Sequence, residues 1–165
     1  MRAHVVTQNV DGLHQAAGSP ADRVHELHGT LARARCMRCR RTAPMDDALR
    51  TVRAGVAEPA CPACATGVLR PDVVLFGEHL DRDVYGRAAN VVRAAELLLV
   101  IGTSLRVDPV AALCATAVDC GAVLVIVNAE PTPYDEFANV VLRGDVEVVV
   151  PRIVAALVAG GLPVG

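Results

Sequence analysis

Apolar residues fall in short runs along this chain, and the spacing of those runs changes part-way. Val5-Val6-Thr7 is short and β-branched and enters Gln8-Asn9, as a strand feeding a loop would. Asp22 to Leu31 reads as a polar connection ending at Gly29-Thr30. From Arg33 to about Arg70 the texture differs: paired cysteines, arginine clusters, Pro44, Pro59 and Pro62, with Asp46 to Arg53 as one short helix. After Pro71 strands and helices alternate. Asp83 to Ala95 reads as a helix, and Glu96 to Ile101 as a fully buried strand. A second helix is predicted from about Pro109 to Asp119, with Pro109 in its first turn and Gly121 just past its end. Val123 to Val127 and Asn139 to Leu142 are two more strands, and Pro151 to Ala159 a terminal helix. Uninterrupted apolar strands between helices predict a parallel sheet covered on both faces.

That pattern sets where ligands would bind. In open α/β sheets they sit beyond the carboxyl ends of the strands. Three loops hold that position here: Gly102-Thr103-Ser104, Asn128-Ala129-Glu130 and Gly144-Asp145-Val146. Their glycines and small polar side chains would let a nucleotide approach the backbone. Singly, each is also ordinary turn chemistry. Their repetition at equivalent positions favours a nucleotide crevice.

Composition narrows the picture. A chain of 165 residues, 53% hydrophobic, supports one folded domain with a small module inserted. Its aromatic residues are Phe76, Phe137, Tyr85 and Tyr134, so Val, Leu, Ile and Ala must build the core. Every basic side chain apart from histidine is arginine, so the chain offers no lysine of its own for acylation. A formal net charge of −2 gives no global attraction to nucleic acid or anionic lipid. Charges interrupt each apolar run before membrane-spanning length. No charged-then-apolar leader precedes Thr7, and the expected location is a reducing cytoplasm.

The cysteines carry the strongest chemical signal. Cys36-x2-Cys39 and Cys61-x2-Cys64 are two knuckles separated by 21 residues. Four thiolates bind Zn²⁺ tetrahedrally and leave no position for water, so one structural Zn²⁺ per chain is expected. Cys114 and Cys120 read as core and helix-end residues. Arg33, Arg35, Arg38, Arg40 and Arg41 crowd the first knuckle, where they would offset the net −2 of a tetrathiolate zinc site. His28 sits beside Gly29, and Gln8, Asn9 and Asp11 follow the first strand. By themselves these four read equally well as structural or turn residues.

Taken together, these motifs resemble the sirtuins, the NAD-dependent protein deacylases. The carriers are Thr7-Gln8-Asn9-Val10-Asp11-Gly12-Leu13-His14, Glu26-Leu27-His28-Gly29, the four cysteines, Arg70 to Glu78, Gly102 to Leu105 and Asn128 to Glu130, in that order. The resemblance implies an α/β fold: an incomplete Rossmann-like parallel sheet from 1–32 and 71–165, with a four-cysteine zinc module inserted at 33–70. It implies NAD as co-substrate and acylated-lysine proteins as substrates. Asn9 and Asp11 would hold the nicotinamide ribose, with Gln8 lining the same pocket. Gly102, Thr103, Ser104, Asn128, Ala129, Glu130 and Val146 would serve the rest of the cofactor. Val74, Phe76, Gly77 and Glu78 would take the substrate peptide as an added strand. His28 would be the general base, a task suited to imidazole because it titrates near neutral pH.

The resemblance also implies a glycine-rich phosphate loop, the strand leading into it and a cofactor-covering segment, all upstream of Thr7, where six residues stand. A late-assigned start, a truncation or a short form needing a partner would each account for this. The 165 residues alone are then expected to bind NAD weakly, deacylate little and carry unpaired strand edges. Two other readings stand beside the enzyme: a non-catalytic zinc-bearing interaction module, and a zinc-ribbon nucleic-acid binder.

Overall fold

The computed structural model describes residues 3–160. These fall into two compact units, one ending at Arg87 and the other starting at Ala88.

The first unit opens with β1 (Val5–Thr7), which runs parallel to β2 (Val24–Glu26) with Thr7 opposite Glu26. Between them lie the one-turn helix α1 (Leu13–Ala16) and a 3-10 turn at Ala21–Arg23. The sequence reading made Asp22 to Leu31 a polar connection. It is instead β2 followed by β3 (Gly29–Cys36). Val24-His25-Glu26 lacks an apolar run and is a strand because β1 supplies its hydrogen-bond partners. His25 faces inward, at 7% exposure.

Strand β3 is the centre of an antiparallel sheet, flanked by β4 (Thr42–Pro44) and β5 (Leu69–Val73). Helix α2 (Met45–Arg53) packs on it through buried Ala48, beside Ala34, Cys36, Cys61 and Leu69. This helix starts one residue before the predicted one. Helix α3 (Arg82–Arg93) runs across the boundary between the units.

The second unit is a parallel sheet in the order β6 (Leu97–Ile101), β7 (Val123–Asn128), β8 (Val140–Arg143). Helix α4 (Ala112–Asp119) covers one face, where Val100, Leu124 and Ile126 meet Ala111 and Cys114. Helix α5 (Val146–Ala159) contacts β7. Strand β6 was expected to be buried throughout, but burial along it alternates. Leu97, Leu99 and Ile101 are 52%, 40% and 43% exposed. They share a face with Val123, Val125 and Val127, their partners in β7. Val127 on that face is fully buried, so the cover reaches the C-terminal end of β7 but not β6. Val123 and Val140 are likewise exposed.

Helix α3 starts one residue before the predicted Asp83, and the starts of α4 and α5 move further. Pro109 precedes α4, which begins at Ala112 after a turn closed by the Ala111 N–H on the Val107 carbonyl at 3.1 Å. Gly121 does end that helix, with φ +85°. Helix α5 starts at Val146 and holds Pro151 inside it. Its start is set by Asp145, whose side chain accepts the Glu147 N–H at 2.9 Å, an N-cap that satisfies a donor the helix cannot. Among the described residues the parallel strands form two separate sheets, β1–β2 and β6–β7–β8. The fold is thus an incomplete Rossmann-like sheet. No helix among the described residues is long and apolar enough to cross a membrane.

Buried His25 gives the first unit a testable pH response. Its Nε2 lies 3.3 Å from Nδ1 of His4, and the two rings stack at 5.5 Å. Burial first, then the charges of His4 and Arg87, lowers its pKa below 6.5. As pH falls through the unfolded value, the unfolded chain takes up a proton that the folded state resists, so folding weakens toward acid. Thermal unfolding should therefore show a lower Tm at pH 5.5 than at 7.5, with a flatter dependence in His25→Gln. An identical slope in that variant would place the response elsewhere.

Candidate functional site

The four paired cysteines converge as their spacing predicts. Cys36 ends β3, Cys39 lies in the turn after it, and Cys61 and Cys64 precede β5. Their sulfurs all lie within 4.8 Å of one another, and none is in a disulfide. Cys36–Cys64 and Cys39–Cys61 are each separated by 3.7 Å. A tetrahedron with Zn–S arms of about 2.3 Å has edges of about 3.8 Å, so the set fits Zn²⁺ closely.

The surrounding backbone suits thiolates. The N–H groups of Arg38 and Cys39 each point at Cys36 Sγ from 3.4 Å. Those of Thr66 and Gly67 bring the Cys64 thiol down to about 6. Gly67 has no room for a side chain: a Cβ there would lie 2.3 Å from Cys36 Sγ. The neighbouring arginines do less for the metal than expected. Arg35 and Arg33 both pair with buried Asp72, and Arg38 donates to Thr66.

A second constellation joins β1 to β2. His28 Nδ1 lies 3.1 Å from the carbonyl oxygen of Gln8. A carbonyl can only accept, so Nδ1 carries the proton and Nε2 of the neutral ring presents its lone pair. The half-buried ring is fixed at both ends of its short segment. The Leu27 N–H reaches the Thr7 carbonyl at 2.9 Å, and the His28 carbonyl accepts the Val74 N–H at 2.9 Å. Asn9 is exposed, with its backbone N–H on Thr7 Oγ1 at 3.0 Å. One carboxylate oxygen of Asp11 accepts the Leu13 N–H at 2.9 Å, bracing α1. Gln8, Asn9, Asp11, His28 and Val74 therefore occupy one neighbourhood of the first unit. Phe76, Gly77 and Glu78 form the turn just beyond Val74.

In the second unit the three strand-end loops lie together because their strands are parallel and in register, with Ile101 opposite Val127 and Asn128 opposite Arg143. Gly102 takes φ +62°, and a Cβ on it would touch Val146 at 3.5 Å. Thr103 Oγ1 accepts the Leu105 N–H at 3.4 Å. Asn128 is buried and spends its amide on the Glu130 carbonyl at 2.8 Å, so its side chain shapes the loop. Ser104, Ala129 and Glu130 are exposed at the sheet end. This edge, with a backbone approachable at Gly102 and short side chains around it, fits a nucleotide.

A model of the Sir2 family matches residues 1–109. The chain belongs to the Sir2 family. The NAD-dependent protein deacetylase 2 of Streptomyces coelicolor is 48% identical over 153 residues, which are 93% of this sirtuin and 63% of that relative. A solved Sir2–p53 peptide–NAD+ complex superposes with TM-score 0.83 at 36% identity, over 97% of this chain and 64% of its own. Sir2Tm bound to a propionylated peptide also gives 0.83 at 36% identity, over 97% and 65%. The sirtuin thus spans less than two thirds of the length of each.

Several residues of the site carry no signature of their own in the sequence. Gly29, at φ +77°, would place a Cβ 2.1 Å from the Asp72 carbonyl oxygen. Asp72 gathers Arg33 and Arg35. Arg143 donates to the carbonyls of Asn128 at 3.4 Å and Glu130 at 2.8 Å and pairs with Asp135, tying two loops together. Asp72 joins β5 to arginines of β3 that lie 37 and 39 residues earlier, and Arg143 joins β8 to the loop before it. Gly29 was visible only as the residue beside His28.

Purified protein should hold one Zn²⁺ per chain by elemental analysis. Cys61→Ser should lose it, together with cooperative unfolding of the β3–β5 sheet, because thiolate ligation contributes on the order of 10 kcal/mol to small zinc folds. Gly67→Ala should weaken zinc retention with all four ligands intact. Full folding without metal, and four titratable thiols, would contradict the assignment.

Proposed function

We propose that the chain works as an NAD-dependent protein-lysine deacylase, in which acyl-lysine, NAD and water would give free lysine, nicotinamide and O-acyl-ADP-ribose. The observation that carries this reading is the His28 ring, held by the Gln8 carbonyl with Nε2 left as a proton acceptor. NAD, when bound, supplies the electrophilic ribose carbon from which nicotinamide leaves. The acyl-lysine carbonyl oxygen is the nucleophile. With NAD bound, His28 Nε2 would accept the proton of a ribose hydroxyl, whose oxygen would then attack the former acyl carbon, and water would complete release of the lysine amine. Asn9 and Asp11 orient the nicotinamide ribose and Gln8 lines its pocket. Gly102, Thr103, Ser104, Asn128, Ala129, Glu130 and Val146 serve the remainder of the cofactor. The zinc stays structural, since four sulfurs fill its coordination sphere.

The substrate class is acylated lysine on other proteins, entering beside Val74 and the turn from Phe76 to Glu78. The relatives' names and bound peptides support this class. Nucleic acid is disfavoured as a partner in this reading: Arg33 and Arg35 are paired with Asp72, which leaves less free charge at the zinc knuckle than the sequence suggests. Metal-spaced, unbridged cysteines support a reducing cytoplasm. The division into a Rossmann-like part, 1–32 with 71–165, and a metal module at 33–70 belongs to the same proposal.

Nicotinamide release from NAD in the presence of an acetyl-lysine peptide, compared between residues 1–165 and a chain extended upstream by a glycine-rich segment, tests the reading, with His28→Ala made in the extended chain. His28→Ala should reduce turnover by about 10²–10⁴-fold, the range for losing a general base. NAD affinity should change far less. An unchanged rate in the extended chain would remove His28 from the chemistry, no peptide-dependent release by it would remove the function, and equal turnover by residues 1–165 alone would show that the upstream segment is dispensable.

A further inference from the structure

Beyond Val74 the chain reverses over Leu75–Glu78. The Glu78 N–H bonds to the Leu75 carbonyl at 2.9 Å, and Gly77 has φ +86°. Positive φ at the third position is what a type II turn requires. The turn displays two apolar side chains: Leu75 is 55% exposed and Phe76 completely so. Such a turn would not hold one shape unaided.

Glu78 holds it. Its Oε1 and Oε2 accept from Arg70 Nη2 at 2.8 and 2.9 Å, and Oε2 also accepts the Leu75 N–H at 3.0 Å. The bond from Arg70, then that from Leu75, keeps the carboxyl below its usual range. Arg70 in turn lies on β5 opposite Arg35, one residue from Leu69, which faces the zinc ligand Cys36. The carboxylate stays on the surface, but both of its oxygens are occupied by donors of its own chain.

We propose that Glu78 is a positioning residue for the substrate peptide: with Arg70 it clamps the 75–78 turn so that Leu75 and Phe76 face an acyl-lysine peptide, and its charge makes no contact with that peptide. This rests on the deacylase reading and changes the role that the sequence suggested for Glu78, from touching the peptide to holding the residues that do. It also links the metal to the substrate, since the clamp is anchored on the strand beside the zinc ligands.

The test is binding of two fluorescent acetyl-lysine peptides, one with basic and one with neutral flanks, to the zinc-loaded chain, read by anisotropy. The unsubstituted protein should bind both. Glu78→Ala should raise Kd about tenfold for both peptides alike, as should Arg70→Gln, and the double variant should be no weaker than the weaker single, as for groups acting as one unit. Glu78→Gln, which keeps an acceptor for the Leu75 amide, should fall between. Zinc content should stay at one per chain throughout.

An unchanged Kd in Glu78→Ala, a loss confined to the basic peptide, or additive losses would overturn the clamp alone. Loss of zinc in both Glu78→Ala and Glu78→Gln would overturn it too, because the pair would then be holding the metal sheet. Failure of the unsubstituted protein to bind either peptide would instead sink the deacylase reading, and the clamp's role with it.

Discussion

The site depends on one close approach, that of Gly29 to the backbone of Asp72. A Cβ at position 29 would lie 2.1 Å from the Asp72 carbonyl oxygen, and the residue already stands at φ +77°. The close approach excludes any side chain, and the positive φ by itself would cost a non-glycine residue about 1–2 kcal/mol. The approach lets Gly29 pair with Val73 at the start of the β3–β5 ladder. The preceding residue, His28, then offers its carbonyl to Val74 while its ring reaches back to Gln8. A candidate catalytic side chain and a candidate peptide edge are thus set by the same backbone crossing.

The zinc centre holds the far end of that ladder. Cys36 closes β3 opposite Leu69, and α2 covers the sheet through buried Ala48 and partly buried Met45, with Leu49 and Val52 left exposed. A three-stranded sheet with so small a core gains much of its stability from thiolate ligation. Metal, ladder and His28 therefore form one mechanical series within the first unit. Asp72 reinforces it midway by binding two arginines of β3 from β5.

What the sequence made legible is what depends on local spacing. The knuckles Cys36–Cys39 and Cys61–Cys64 and the helix at Met45–Arg53 needed no distant partner to be read. Strand β2 was invisible because two of its three residues are polar and only pairing with β1 makes it a strand. The apolar run of β6 gave the strand but not its exposure, since a run of Leu and Ile cannot say which face is covered. Pro151 masked the true start of α5, although Asp145 was the better cap signal. The residue types of the candidate site were legible through resemblance, but the bond that orients His28 joins it to a carbonyl twenty residues away, which no motif encodes.

The account turns on which ring nitrogen of His28 carries the proton. Long-range ¹H–¹⁵N NMR of the folded protein, at a pH where the imidazole is neutral, reads this directly. The hydrogen bond to Gln8 requires Nδ1 protonated and Nε2 bare, and the spectrum should show that tautomer for His28. The opposite tautomer, with the proton on Nε2, would mean that the ring is not held by Gln8 and that no base is poised there.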